Sequence, residues 1–206
     1  MLMMRPHWFT TIAYALVGLV LALVVSFVQP LRYSSTVRLL VLQDVGSTVD
    51  AYTASRSEER IADNLSTIIY TTTFFDQVLA SGFEVEASLF PKEDARRRRA
   101  WERMVEAIVA RGSGLLTVRA FHTDVRQAEQ VARAVAFVLT KRASEFTSGS
   151  GVDVRLIDAP LNSRWPVKPN VPSNAFSGLV LGALAGFAHG YLQKERVRRR
   201  HQLIHE

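Results

Sequence analysis

Two stretches of this chain carry no charge, and each is about as long as a bilayer is thick. No charged residue lies between Arg5 and Arg32, and none between Lys168 and Lys194. The first gap holds WFTTIAYALVGLVLALVVSFV, residues 8–28, and the second holds AFSGLVLGALAGFAHGYL, residues 175–192. A helix needs roughly 20 apolar residues to cross a hydrocarbon core of about 30 Å. Each run therefore predicts a transmembrane helix. A cleaved signal peptide is the competing account of the first. Its apolar stretch exceeds the usual length, and Ser26-Phe27-Val28 lacks a small-x-small cleavage pattern. A buried core helix is the competing account of the second. Its length and the basic cluster behind it favour a span.

Charge predicts the orientation. The tail QKERVRRRHQLIHE places Lys194, Arg196, Arg198, Arg199 and Arg200 against Glu195 and Glu206. Basic residues beside a span stay cytoplasmic, whereas long loops translocate regardless of charge. The net charge of +6 divides as +1 from Arg5, +3 from the tail and +2 from residues 29–173. The high pI thus reports topology, and a nucleic acid partner is not expected. The chain has no cysteine, which excludes disulfides and thiolate metal sites. The expected organisation is a cytoplasmic N-terminus at 1–7, a span at 8–28, an extracytoplasmic domain at 29–164, a proline-rich segment at 165–174, a span at 175–193 and a basic cytoplasmic tail at 194–206. That describes a multi-pass protein of a bacterial plasma (inner) membrane, with both termini inside and the central domain periplasmic or extracellular.

Within the central domain, LRYSSTVRLLVLQ (31–43) reads as a strand, and 44–55 as a loop. Residues 57–79 read as helix, with an apolar stripe of Ile61, Leu65, Ile68, Ile69, Val78 and Leu79. Thr71-Thr72-Thr73 is poor helix and a point at which it can split. A second helix is expected over 94–111, its stripe formed by Trp101, Met104, Val105, Ile108 and Val109. Glu93 and Asp94 stand at its positive end. LLTVRAF (115–121) alternates as a strand. A third helix, capped by Thr123 or Asp124, runs to about Phe146 on the stripe Val125, Ala128, Val131, Ala132, Val135, Val138 and Leu139. VDVRLID (152–158) is the last strand. The order β, α, α, β, α, β predicts an α+β fold, a small sheet packed against helices.

Two regularities follow. Pro166, Pro169 and Pro172 recur every third residue, which in polyproline II puts them on one face. A plain proline-rich linker is the simpler alternative. Trp165 stands where an aromatic belt residue would anchor, and Ser173 or Asn174 is positioned to cap the helix that follows. In the second apolar run Gly178, Gly182, Gly186 and Gly190 recur every fourth residue. Small-xxx-small faces let membrane helices approach closely and associate, so these glycines predict a packing or oligomerisation face. Its partner is expected to be Ala13, Gly18 and Ala22 of the first run, or the same groove in a neighbouring subunit.

These pieces, in this order, resemble the Wzz-type polysaccharide co-polymerases, or chain length determinant proteins. The stretch RYSSTVRLLV resembles the first strand of that family. LLTVRAFHTDVRQAEQVARAVAFVL resembles its strand and Asp-Pro-x-x-Ala-type helix, with Val125 in place of the usual proline. VRLIDAPLNSRWPVKPNVPSNAFSGLVLGALAG resembles its signature segment most closely. The outer domain is short for the lipopolysaccharide-type members and is more similar to members that accompany capsule or exopolysaccharide machinery. No Gly-x-x-x-x-Gly-Lys-Ser/Thr loop is present, and no tyrosine follows Tyr191, so a fused autokinase is not expected. The resemblance implies a non-enzymatic homo-oligomeric scaffold in membrane lipid. It would set the length of a growing glycan (O-antigen, capsule or exopolysaccharide) together with a separate polymerase. The alternative is an adaptor that activates a cytoplasmic tyrosine kinase.

No catalytic constellation is legible. Glu58-Glu59 and Glu93-Asp94 are explained by helix starts, and there is no Gly-x-Ser-x-Gly elbow. His201 and His205 are four apart in an exposed tail, and no cofactor or metal is expected. Arg96, Arg97, Arg98 and Arg99 are the unusual polar feature. Four consecutive helical residues sweep about 300°, so they cannot all lie opposite Trp101. They read either as a solvated surface with one stem packed on the core or as a contact for acidic glycan, lipid head groups or a neighbouring subunit. Arg196, Arg198, Arg199 and Arg200 read as a topology anchor and secondarily as a contact for lipid or a partner.

Overall fold

The structure is a computed structural model that describes residues 7–44, 50–147 and 151–202. It divides into a helical unit built from the two ends of the chain and a central unit spanning Leu31–Val167.

In the central unit, strand β1 (Tyr33–Gln43) is followed by helices α2 (Ala51–Ile68) and α3 (Thr72–Leu79), a short 3-10 turn (Ala87–Leu89) and helix α4 (Asp94–Met104). Then come strands β2 (Val105–Val109) and β3 (Leu115–His122), helix α5 (Val125–Phe146) and strand β4 (Val152–Asn162). The sheet is antiparallel throughout, in the order β2-β3-β1-β4. Period-two alternation in β1 sends Val37, Leu39 and Val41 into the core. Val118 and Leu116 of β3 stand opposite Val37 and Leu39, Ala120 stands opposite Ser35, and Val105 of β2 and Val154 of β4 complete the layer. The helices cover this face through Ala62, Leu65 and Ile69, through Phe74, Phe75 and Val78, and through the buried stripe of α5. The opposite face mixes apolar residues such as Leu40 and Ile108 with ion pairs. Arg38 pairs with Asp158 at 3.2 Å, and Arg119 with Glu106 at 4.0 Å.

Three expectations for the central unit need correction. First, the helix expected over 94–111 ends at Met104, and Val105–Val109 form an edge strand. Its apolar residues fit a helical stripe equally well, but β3 offers an open row of backbone groups, and Val105 pairs with Ala120 and Val109 with Leu116. Met104 and Val105 therefore bury their side chains from two different elements. Second, α2 begins inside the expected loop, because the Asp50 carboxylate accepts a hydrogen bond from Thr53 N at 2.6 Å and caps the helix at Ala51. Third, β4 extends to Asn162, past the expected Asp158. The helix break at the threonines is real: Thr71 caps α3 by accepting from Phe74 N. Asp124 caps α5, its carboxylate accepting from Arg126 N at 2.9 Å.

In the helical unit, α1 (His7–Val28) and α6 (Val171–Gln202) pack against each other. Both are long and apolar enough to cross a membrane. Their outward surface is dominated by exposed large apolar side chains, among them Trp8, Leu21, Phe27, Phe176, Leu181 and Phe187. The segment before α6 is not one polyproline face. Val171 N donates to Pro169 O at 3.0 Å in a tight turn, and Pro172 lies in the first turn of α6. There its missing N–H costs no intrahelical bond. Asn170, and neither Ser173 nor Asn174, caps the helix, its side chain accepting from Ser173 N at 3.2 Å.

Candidate functional site

The glycine face of α6 is filled by α1. A Cβ placed on Gly178 would meet Gly18 O at 2.5 Å, and one on Gly186 would meet Thr11 Cα at 2.8 Å. One on Gly182 would meet Ala15 Cα at 3.0 Å, with Tyr14 O closer still. Gly18 reciprocates, lying against Gly178 O and Gly182. Gly190 is buried as well. The two helices run antiparallel: Ser26 meets Asn174, Ala22 meets Gly178, and Tyr14 meets Gly186 and His189. On α1 the matching small or polar positions, Ser26, Ala22 and Gly18, also recur every fourth residue. Gly18 and Ala22 are the partners expected from the sequence. Ala13 is exposed, and Ala15 occupies the contact in its place.

Polar groups sit at both ends of this interface. Asn174 donates through Nδ2 to Ser26 Oγ at 2.9 Å, and Ser26 is fully buried. The His189 ring stacks on Tyr14 at 5.4 Å between centroids and lies 2.9 Å from Gln193 Nε2. Burying a hydroxyl without a partner is costly, so the Ser26–Asn174 bond fixes the register of the pair. Sequence inspection missed this bond because its partners are 148 positions apart.

The arginine run resolves into different roles. Arg96 pairs with Glu93 at 2.9 Å, and Arg97 with Asp94 at 2.8 Å. The Arg97 guanidinium also lies 5.6 Å from the centroid of the Phe75 ring, and its side chain is only 26% exposed. Arg97 is thus the stem packed on the core, held by a cation–π contact. Arg98 and Arg99 make no ion pair among the described residues. At the other end of the chain α6 continues as helix to Gln202 and carries Arg196. The side chains of Arg198, Arg199 and Arg200 lie outside the described residues.

Two clefts in the central unit have chemistry of their own. One of about 440 Å³ runs along α2, where Ser57, Arg60, Asn64 and Thr67 face walls formed by Phe146 and Val152. Gln43 enters it from β1 and accepts a hydrogen bond from Ser57. The other, about 380 Å³, is more apolar and lies between α5 and β4, lined by Phe83, Phe137, Leu156 and Pro160. Near it Glu129 accepts from Asn162 at 2.7 Å and pairs with Arg133, and these two contacts hold its carboxyl below the usual carboxylate range. No group of three or more His, Asp or Glu that could hold a metal occurs among the described residues.

No protein-family model matches this chain, and no curated protein sequence matches it significantly.

Proposed function

We propose that this chain is a non-enzymatic membrane scaffold that sets the length of a cell-surface polysaccharide in concert with a separate polymerase. The observation that carries the membrane part is the glycine-packed pair α1–α6. Where its two helices come closest, glycine and alanine positions meet backbone, and large apolar side chains turn outward. Water does not tolerate an apolar surface of that extent on a monomer, whereas lipid is the matching solvent, and helices in lipid associate through such small-residue faces. An antiparallel pair returns the chain to the side from which it started. Together with the basic tail this supports two cytoplasmic termini and an exported central unit.

The glycan part is supported by the resemblance to chain length determinant proteins, in the order span, α+β unit, proline-containing segment and glycine-rich span. In this reading the protein works by assembly into a homo-oligomer, and no chemistry on the sugar is asked of it. The decisive experiment is deletion of the gene in its host, with complementation by the wild-type chain and by a chain lacking residues 51–147. The expected result is a changed distribution of polysaccharide lengths on deletion, restored only by the intact chain. An unchanged distribution on deletion refutes the glycan role.

A further inference from the structure

We infer that the central unit carries a phosphate-binding site for the head group of an anionic membrane lipid, built from Arg32, Arg103 and His122. The site is a cavity of about 270 Å³ lined by these three residues and by Thr123, with Ala100, Met104 and Phe121 as its apolar wall. The polar part of the lining offers donors. Arg32 Nη1 donates to the carbonyl of Arg103 at 3.3 Å, which brings the Arg32 head to the end of α4, where Arg103 is rooted. Arg103 in turn donates through Nε to Arg99 O at 3.1 Å. Both guanidinium groups keep further N–H donors, since each carries five. Neither makes an ion pair among the described residues, whereas Arg38, Arg119, Arg133 and Arg155 in the sheet and α5 each have a carboxylate partner.

His122 adds a third nitrogen-bearing side chain. Its Nδ1 is held by the Asp124 backbone, 3.0 Å from Asp124 N and 3.3 Å from Asp124 O, and Nε2 has no hydrogen bond to another described residue. No carboxylate lines the cavity among the described residues, and the Asp124 carboxylate accepts from Arg126 N. Convergent arginine and histidine donors without a counter-charge match the oxygens of a phosphate, which accepts charge-assisted hydrogen bonds from guanidinium groups.

Chain connectivity identifies the source of that phosphate. Arg32 stands four residues after Val28, where α1 ends, and Val167 stands four residues before Val171, where α6 begins. Val167 N donates to Arg32 O at 2.8 Å, so both connections to the apolar helices leave from this one hydrogen bond. Four extended residues span at most about 14 Å, a tether short enough to hold Arg32 close to the head-group layer. The same stretch exposes Leu31, Trp165 and Val167, and a tryptophan at this position suits the membrane–water interface. Residues 159–174 add Arg164 and Lys168 and contain no acid. The inference rests on the membrane reading given above.

The test uses the full-length chain in a neutral detergent and native mass spectrometry. Dioctanoyl phosphatidic acid, inorganic phosphate and dioctanoylglycerol are titrated in separate arms. Phosphatidic acid is expected to bind at one site and to lose about tenfold or more in affinity in the Arg32→Gln/Arg103→Gln variant. A charge-matched control, Lys92→Gln/Arg111→Gln, is expected to bind like wild type. Because Arg32 also braces α4, His122→Phe is measured in parallel. It leaves both arginines in place, and its affinity is expected to fall as well. Equal binding of phosphatidic acid by all variants, or equal losses in the control, overturns the site. Inorganic phosphate binding as tightly as phosphatidic acid, with the same sensitivity, overturns the lipid source, and dioctanoylglycerol binding equally well overturns the phosphate chemistry. Alkaline carbonate extraction of the expressing cells reads the membrane assignment separately: a chain retained in membranes that fails the titration refutes only this inference.

Discussion

Alanine at Gly182 is expected to loosen the α1–α6 pair even though it adds a single methyl group. The added carbon would stand 3.0 Å from Ala15 Cα, with the Tyr14 carbonyl oxygen nearer. Optimal carbon–carbon contacts lie at about 3.5–4.0 Å, so the helices must part by roughly 0.5–1 Å. A gap of that size forfeits about a quarter to a half of each dispersion contact along the seam. The neighbours here are backbone atoms, which cannot rotate away as a side chain would. Overpacking of this kind costs about 1–3 kcal/mol, or roughly a 5- to 150-fold loss in the packed population. Leucine at Gly182 should be worse. Leucine at Val180, an exposed position, should be neutral. The chain has no cysteine, so Ser26→Cys/Asn174→Cys can report the pair by oxidative crosslinking in isolated membranes. Membrane levels should stay normal, because leucine favours insertion, while crosslinking falls in the order wild type, Gly182→Ala, Gly182→Leu. Equal crosslinking in Gly182→Leu and Val180→Leu would show that the glycines do not set the approach of the helices.

Other outcomes follow from single contacts. Trp101→Phe removes the 2.7 Å bond from Nε1 to the buried Ile69 carbonyl and should cost about 1–3 kcal/mol in a denaturant melt of the full chain; a loss no larger than that of Tyr52→Phe refutes it. Arg97→Gln should destabilise more than Arg98→Gln, because only Arg97 lies over Phe75 and pairs with Asp94; equal melts return the run to one undifferentiated surface. Glu129 has its folded pKa lowered, so its contribution is present above the unfolded value near 4.5 and is lost as pH falls through the folded value. Glu129→Gln should therefore flatten the acid side of the stability profile, and an unchanged profile refutes the linkage. Reporters fused at either terminus should read cytoplasm, while one inserted at Ser148 should read the outside; a cytoplasmic reading at Ser148 sinks the membrane topology.

Much of this architecture was legible in local pattern. Uncharged length alone marked the two apolar helices, since no other backbone form suits such a run as well. The alternation of 31–43 and 115–121 and the long stripe of α5 followed from periods of two and 3.6 residues. The glycine repeat marked a close contact, which the structure has at Gly178, Gly182 and Gly186, because only a missing side chain lets backbones meet. What local pattern could not decide was who occupies each face. Val105, Ile108 and Val109 satisfy a helical spacing, yet they form a strand because the edge of β3 lies free beside them. A free backbone edge is a property of the assembled sheet and leaves no trace in the composition of the segment that fills it. Likewise the partner of Gly182 is Ala15 on a helix more than 160 positions away, two residues from the Ala13 expected from the sequence. Arg32 and Arg103 meet only because β1 starts where α4 ends. Such meetings depend on how loops close over long separations, and the physics that fixes them is packing between elements, which a single sequence does not display.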